Sequence, residues 1–237
     1  MTEPVSLTRR VAQLCACSYA EAEMVIGDGG VSIDGDVVTD AQRIVTDGQH
    51  IEIAAAAHPS AIEPATVLLH KPIGMTTAQA TALFTPATRW VDDPSGIAML
   101  PRHYRNPTPL MPLDDDASGL LVLSQDGRVW RRLTEDADEI EQEFVVEVRG
   151  ETGPYILGQL ARGLIYNGRA LAPCKVSWQN EVRLRFAIHN VQRGQLRHMC
   201  SAVGLEIVTM RRLRIGRIPL SKLPLGEWRA LPAGERF

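Results

Sequence analysis

The feature that most constrains this chain lies between residues 112 and 127. Three consecutive carboxylates, Asp114, Asp115 and Asp116, lead through Ala117-Ser118-Gly119 into the apolar block Leu120-Leu121-Val122-Leu123. An apolar run of this length, bounded by turn-forming residues, reads as a strand. Adjacent carboxylates raise one another's cost of charging unless they point apart or meet a cation. Something in the fold must therefore balance these charges. On residue types alone, the run also fits a solvated acidic turn or a divalent-metal loop.

Other segments supply neighbours for that strand. Val67 to His70, Phe144 to Val148 and Val182 to Ile188 read as strands, the last alternating strictly, so that one of its faces is wet or meets a charged partner. Gln195 to Val203 reads as a helix ending at Gly204, and Glu206 to Thr209 as the start of a further strand. No 30-residue strand–helix–strand rhythm is present. The expected fold class is thus α+β: over residues 65–237, a mixed, largely antiparallel sheet with flanking helices. Gly27-Asp28-Gly29-Gly30 lacks the lysine and spacing of a phosphate loop and is assigned to a turn.

The N-terminal part has a different period. Apolar residues from Leu7 to Ile26, interrupted near Cys17-Ser18, predict two short helices, with Ser18 and Glu21 spaced as a capping box. Val31 to Ile33, the turn Asp34-Gly35-Asp36 and Val37-Val38 predict a hairpin, with Ile51 to Ile53 as a closing strand. This gives a small two-helix plus hairpin unit over residues 1–56 and a linker over 57–64, where alanines, His58-Pro59 and Glu63-Pro64 concentrate.

Composition narrows the class. A chain of 237 residues with 45% apolar and 22% charged side chains can bury a core and suits two units. No apolar run reaches the roughly 18 residues of a membrane span, and the first residues lack a signal-peptide core, so a cytoplasmic, monomeric protein is expected, with no membrane partner. Cys15, Cys17, Cys174 and Cys200 are irregularly spaced and read as reduced thiols, and His198 with Cys200 reads as structural, so no metal is expected. The net charge is −3, yet Arg193, Arg197, His198, Arg211, Arg212, Arg214 and Arg217 crowd one stretch. That stretch is either a solvated face or a surface for phosphates.

Four pieces carry a resemblance. Residues 112–127 are similar to the Leu-Asp-x-x-(Thr/Ser)-(Ser/Thr)-Gly-Leu-Leu-x-Leu-(Thr/Ser)-x-Asp-Gly signature of pseudouridine synthases of the bacterial ribosomal RNA, RsuA/RluF-like, family. Lys71-Pro72-Ile73-Gly74, Gln195-Leu196-Arg197-His198-Met199 and Leu225 to Leu231 match three further family elements in the same order. Residues 5 to 54 also resemble the RNA-binding domain named after the fourth protein of the small ribosomal subunit, through Ser18 to Ala22, Val31 to Gly35 and Asp47 to Ile51. Without that likeness the unit reads equally as a dimerisation or scaffold piece.

The resemblance implies a cofactor-free isomerisation of a uridine, in ribosomal RNA, with Asp114 as catalytic carboxylate and Arg197 paired to it. It also implies that Leu196, Phe144 and Lys71 bind substrate and that Arg9, Arg10 and Arg193 contact RNA. The chain departs from the family at Tyr19, Pro112, Phe144 and the lead-in Asn190 to Gly194, where arginine, arginine, tyrosine and a Gly/Asn pattern are usual. These departures imply an altered substrate preference, or a catalytically silent RNA-binding protein or ribosome-assembly factor on the same fold. A metal-dependent hydrolase built on Asp114 to Asp116 is the third reading, and it lacks the further ligands of a metal cage.

Overall fold

The computed structural model describes residues 5–46, 48–54, 64–162, 164–232 and 234–237. Asp47 and, apart from Pro64, the expected linker over 57–64 lie outside these. The chain divides into two compact units, residues 1–64 with 98–106, and residues 65–97 with 107–237. The sequence reading drew the second unit as continuous from residue 65 and did not anticipate that 98–106 joins the first.

In the first unit, β1 (Val5–Ser6) leads into α1 (Leu7–Cys15) and α2 (Tyr19–Gly27), followed by β2 (Val31–Ile33), β3 (Asp36–Val37), β4 (Ile44–Val45) and β5 (Ile51–Ile53). The Ser18 hydroxyl accepts from the Glu21 backbone N–H at 3.3 Å while the Glu21 carboxylate accepts from the Ser18 N–H at 2.8 Å, the reciprocal cap its spacing predicts. Asp34 and Gly35, at φ of 54° and 91°, make the hairpin turn, which needs positive φ at both positions. Strand β2 lies between β3 and β5, antiparallel to both. Leu7, Val11, Ala22, Val25 and Ile26 pack with Val31, Ile33, Val38 and Val45 as its core. Arg102 reaches Asp28 at 3.3 Å and ties the 98–106 segment to the end of α2.

The second unit is built on a nine-stranded sheet. Its elements are β6 (Thr66–Lys71), α3 (Thr77–Thr81), β7 (Thr108–Leu110), β8 (Ala117–Ser124), α4 (Gly127–Thr134), β9 (Glu141–Arg149), α5 (Ile156–Ala161), the hairpin β10 (Ile165–Tyr166) and β11 (Arg169–Ala170), β12 (Lys175–Trp178), β13 (Arg183–His189), α6 (Gln195–Ala202), β14 (Glu206–Ile215), β15 (Ile218–Pro219) and β16 (Trp228–Ala230). The sheet order is β12-β13-β9-β14-β8-β6-β16, with β15 on β14 and β7 on β8. Only β14 with β8 is parallel among these pairings, so the sheet is mixed and largely antiparallel, as the sequence implies. Strand β8 holds Leu120, Leu121, Val122 and Leu123 at no exposure, which explains its unbroken apolar run. Strand β13 alternates exposed and buried along its length, matching the period-two pattern.

Gly119 is fixed by packing as well as by conformation. It adopts φ of 118° where β8 passes β14, and a β-carbon there would overlap the main chain of Arg212. Because the obstacle is backbone, no side-chain movement relieves it. Gly119→Ala is therefore expected to cost about 3 kcal/mol of stability, read as a lowered urea midpoint with an unchanged m-value. A midpoint within error of wild type would contradict this packing.

Candidate active site

Asp114 ends the loop from β7 to β8. Leu113 beside it is buried in the core that includes Ala117, Phe144 and Leu196, so the next side chain is turned into the cleft above that core. The Asp114 carbonyl accepts from the Ala117 N–H at 3.0 Å, closing a turn that delivers the chain into β8. Its carboxylate accepts the Gly194 backbone N–H at 3.0 Å and 3.2 Å through its two oxygens. Gly194 is the N-cap of α6, so the carboxylate lies at the positive end of that helix. The Arg193 Nε is 3.6 Å from Asp114 Oδ1, and its terminal nitrogen is 3.3 Å from Asp115.

Cations of the chain itself thereby balance the acidic run. Asp114 meets the helix start and Arg193, Asp115 meets Arg193, and Asp116 forms an ion pair with Arg197. Among the described residues, no group of three or more His, Cys, Asp or Glu side chains is arranged to hold a metal ion. The pairing differs from the expected one, since Arg197 pairs with Asp116 and it is Arg193 that lies beside Asp114. The reason is helical geometry. At about 100° and 1.5 Å per residue, positions four apart share a face but lie about 6 Å apart along the axis, so the carboxylate seated on the Gly194 N–H meets Arg193 and Arg197, one turn further on, meets Asp116. A second Arg197 nitrogen reaches the Ile207 carbonyl at 3.4 Å, and its buried Nε has no hydrogen-bond partner among the described residues.

Two buried cations hold the loop from beneath. Lys71 is fully buried, and its Nζ donates to the carbonyls of Ala117 at 2.8 Å, Pro72 at 3.1 Å and Asp115 at 3.2 Å. All three ammonium hydrogens are accounted for by these carbonyls, so Lys71 supports the loop instead of contacting substrate as the resemblance implies. Burial lowers its pKa, opposed by Asp115, Asp116 and Asp114 in that order. Arg212 is 1% exposed and donates to Leu120 O through Nε at 2.8 Å, to Met111 O at 2.6 Å and to Gln142 Oε1 at 2.9 Å. Desolvation pushes its pKa down to about 9, which leaves it charged at neutral pH.

The cleft is lined by Pro112, Asp114, Phe144, Arg193, Leu196 and Met210, among others. Phe144 and Leu196 are both 2% exposed and form its apolar floor, with the Arg212 guanidinium 5.8 Å from the centre of the Phe144 ring. Pro112 and Phe144, two of the departures from the family pattern, are both in the wall. Arg9 and Arg10 lie on α1 of the first unit and are not part of this cleft.

Sequence reasoning missed a peg behind the cleft. The Tyr166 hydroxyl donates to the Arg193 carbonyl at 2.7 Å, and His198 Nε2 lies 2.8 Å from the Ile165 carbonyl, joining the β10–β11 hairpin to the start of α6. Gly194, at φ of 71°, leaves room for that hydroxyl, since a β-carbon there would lie 2.9 Å from it. Nothing in the sequence marks Tyr166, because the pairing spans 27 residues. Cys200 is buried and its thiol is pushed up to about 12, which makes the His198/Cys200 pair structural.

No family model matches the chain. It is 26% identical to the dual-specificity RNA pseudouridine synthase RluF of Escherichia coli over 237 residues, covering 98% of this chain and 77% of that one. It is 28% identical to the ribosomal large subunit pseudouridine synthase B of Bacillus subtilis, covering 97% and 93%. It is 27% identical to the ribosomal small subunit pseudouridine synthase A of Pseudomonas aeruginosa, covering 97% of each. A crystal structure of a pseudouridylate synthase superposes with a TM-score of 0.60 at 20% identity, over 96% of both chains. The fold is thus that of the pseudouridine synthases. Over nearly its whole length the chain is similar in sequence to RluF and to the ribosomal pseudouridine synthases A and B.

The Tyr166 peg has a measurable consequence. Tyr166→Phe deletes one hydrogen bond, worth about 1 kcal/mol, so it is expected to lower kcat about fivefold with KM little changed. Unchanged kcat would remove Tyr166 from the positioning of Asp114.

Proposed function

We propose that the chain is an RNA pseudouridine synthase acting in the cytoplasm, as a monomer, on a chosen uridine of ribosomal RNA, with Asp114 as its catalytic carboxylate. The reaction detaches uracil from ribose at N1, turns it and rejoins it through C5. The supporting observation is one carboxylate at a helix start, beside Arg193, at the mouth of a cleft floored by Phe144 and Leu196. A carboxylate so held acts as a nucleophile or as the counter-charge to a developing sugar cation. The apolar floor suits the face of a pyrimidine taken out of its stack, an extrusion that costs a few kcal/mol and draws on RNA contacts elsewhere. Phe144 carries no acid or base, so the C5 proton leaves through Asp114 or water. Arg197 acts at one remove, through Asp116 and the turn it belongs to.

The first unit is assigned an RNA-binding role, with Arg9 and Arg10 of α1 and Arg193 of the second unit as phosphate contacts. Arg9, which is exposed, tests this directly. Arg9→Ser is expected to weaken RNA binding and to reduce the salt slope by about 1, with turnover at saturating RNA unchanged. An unaltered slope would leave Arg9 without a phosphate partner.

The three aspartates separate the catalytic from the structural. Asp114→Asn keeps shape and most hydrogen bonding but removes the charge, so tritium release from C5-labelled uridine in RNA is expected to fall to background while RNA binding persists. Asp115→Asn and Asp116→Asn are expected to lose less than about tenfold, since each removes one partly exposed ion pair. Equal losses at all three would point to a shared acidic loop, and wild-type protein that binds RNA without releasing tritium would point to the silent-binder reading.

A further inference from the structure

A second depression lies on the opposite face of the sheet. Successive side chains of a strand point to opposite faces. Phe144 and Arg212 line the Asp114 cleft, whereas their neighbours Glu143 and Arg211 line this other groove. It holds about 510 Å³ and runs from β13 across β9 and β14 to the loop after β15. Four cations line it, Arg185, Arg211, Arg214 and Lys222, against the single carboxylate of Glu143.

The charges are unequally satisfied. Arg185 pairs with Glu143 at 2.7 Å, and Arg214 pairs with Glu141 at 2.6 Å and Glu143 at 3.3 Å. Among the described residues, neither Arg211 nor Lys222 has an ion-pair partner, and both are exposed. A buried imidazole completes the wall. His70, 7% exposed, is 2.8 Å from the Leu223 carbonyl through Nδ1, which as an acceptor fixes the proton on Nδ1. Its buried Nε2 then carries a lone pair and has no partner among the described residues. Burial lowers the pKa of His70 and keeps the ring neutral.

Two unmet needs therefore share one groove: cations without anions, and an acceptor without a donor. A DNA backbone offers the first remedy alone, and inorganic phosphate, which keeps a hydroxyl that can donate, is distinguished from RNA by the test below. An RNA backbone offers both, because each phosphate is joined to a ribose carrying a 2′-hydroxyl, a group that donates as well as accepts. We propose that this groove binds the sugar–phosphate backbone of an RNA segment outside the one presented to Asp114, with Arg211 and Lys222 on phosphates and His70 Nε2 accepting from a 2′-hydroxyl. The proposal rests on the RNA-modifying function above and adds a second contact surface to it. The segment must leave the target site and pass the edge of the sheet, so short stem-loops do not reach the groove and longer RNAs do.

The test compares a minimal stem-loop substrate with the same stem-loop extended at both ends, using wild type and the double variant Arg211→Gln/Lys222→Gln. Both positions are exposed and outside the catalytic cleft, so folding and turnover at saturating RNA should be retained. For the extended RNA, the double variant should bind about tenfold more weakly near 0.1 M salt, with the log–log salt slope shallower by about 2. Its affinity for the minimal stem-loop should not change. In wild type, 2′-deoxy sugars confined to the extensions should weaken binding about threefold, a loss that His70→Phe should abolish if its melting curve shows it folded. The wild-type arm does not depend on that variant. An unchanged affinity and slope in the double variant overturn the groove while leaving the functional reading intact. Inorganic phosphate titrating to Arg211 and Lys222 with no RNA effect assigns a small-anion site and also overturns it. Wild type that binds neither RNA overturns the functional reading itself.

Discussion

Lys71 and Arg212 grip the main chain on either side of Asp114 by its carbonyl oxygens, and the geometry of the candidate site depends on that grip. Lys71 takes the carbonyls of Pro72, Asp115 and Ala117, and Arg212 takes those of Met111 and Leu120. A buried charge is costly unless it is fully hydrogen-bonded or paired. Here the cost is offset in two ways. Lys71 lies beneath three aspartates whose fields favour its charge, and Arg212 has carbonyl and amide acceptors together with the face of Phe144. The loop between β7 and β8 is thus fastened on both sides of Asp114, which leaves that carboxylate little freedom except into the cleft.

The same fastening makes three adjacent carboxylates tolerable. Each points to a different donor set: the start of α6 with Arg193, Arg193 alone, and Arg197. These donors all come from residues 193–197, so the approach of α6 to the end of β8 is the electrostatic condition for the acidic run. The helix is in turn held through Tyr166 and His198, and Gly119 lets β14 come close enough to β8 for Arg212 to reach beneath. The site is assembled by contacts between elements far apart in sequence.

This distribution explains what could be read in advance. The apolar block of β8, the alternation of β13, the Ser18–Glu21 cap and the extent of α6 are written in local pattern, and the structure follows them. Family likeness marked Asp114, Phe144 and Leu196, and all three line one cleft. What was not legible is which cation meets which anion. Arg193 and Arg197 are four residues apart and chemically alike, and only the seating of α6 along the acidic run decides their partners. The family resemblance makes Lys71 a ligand for substrate, whereas its burial turns it toward carbonyls. Tyr166 and the separate association of residues 98–106 have no sequence signal, because both are products of tertiary packing.

The sheet therefore has a candidate reactive face, where buried cations and an apolar floor present one carboxylate, and a basic face whose charges are incompletely met. Both are consistent with a protein that works on RNA, and the reactive face carries the central claim. The most direct test is to map pseudouridine, by its mass shift after chemical derivatisation, in ribosomal and transfer RNA from cells with and without the gene. The account predicts at least one ribosomal RNA uridine that is converted only when the gene is present, with conversion restored by wild-type protein and not by Asp114→Asn. Identical pseudouridine maps in the two strains, or full restoration by Asp114→Asn, would contradict it.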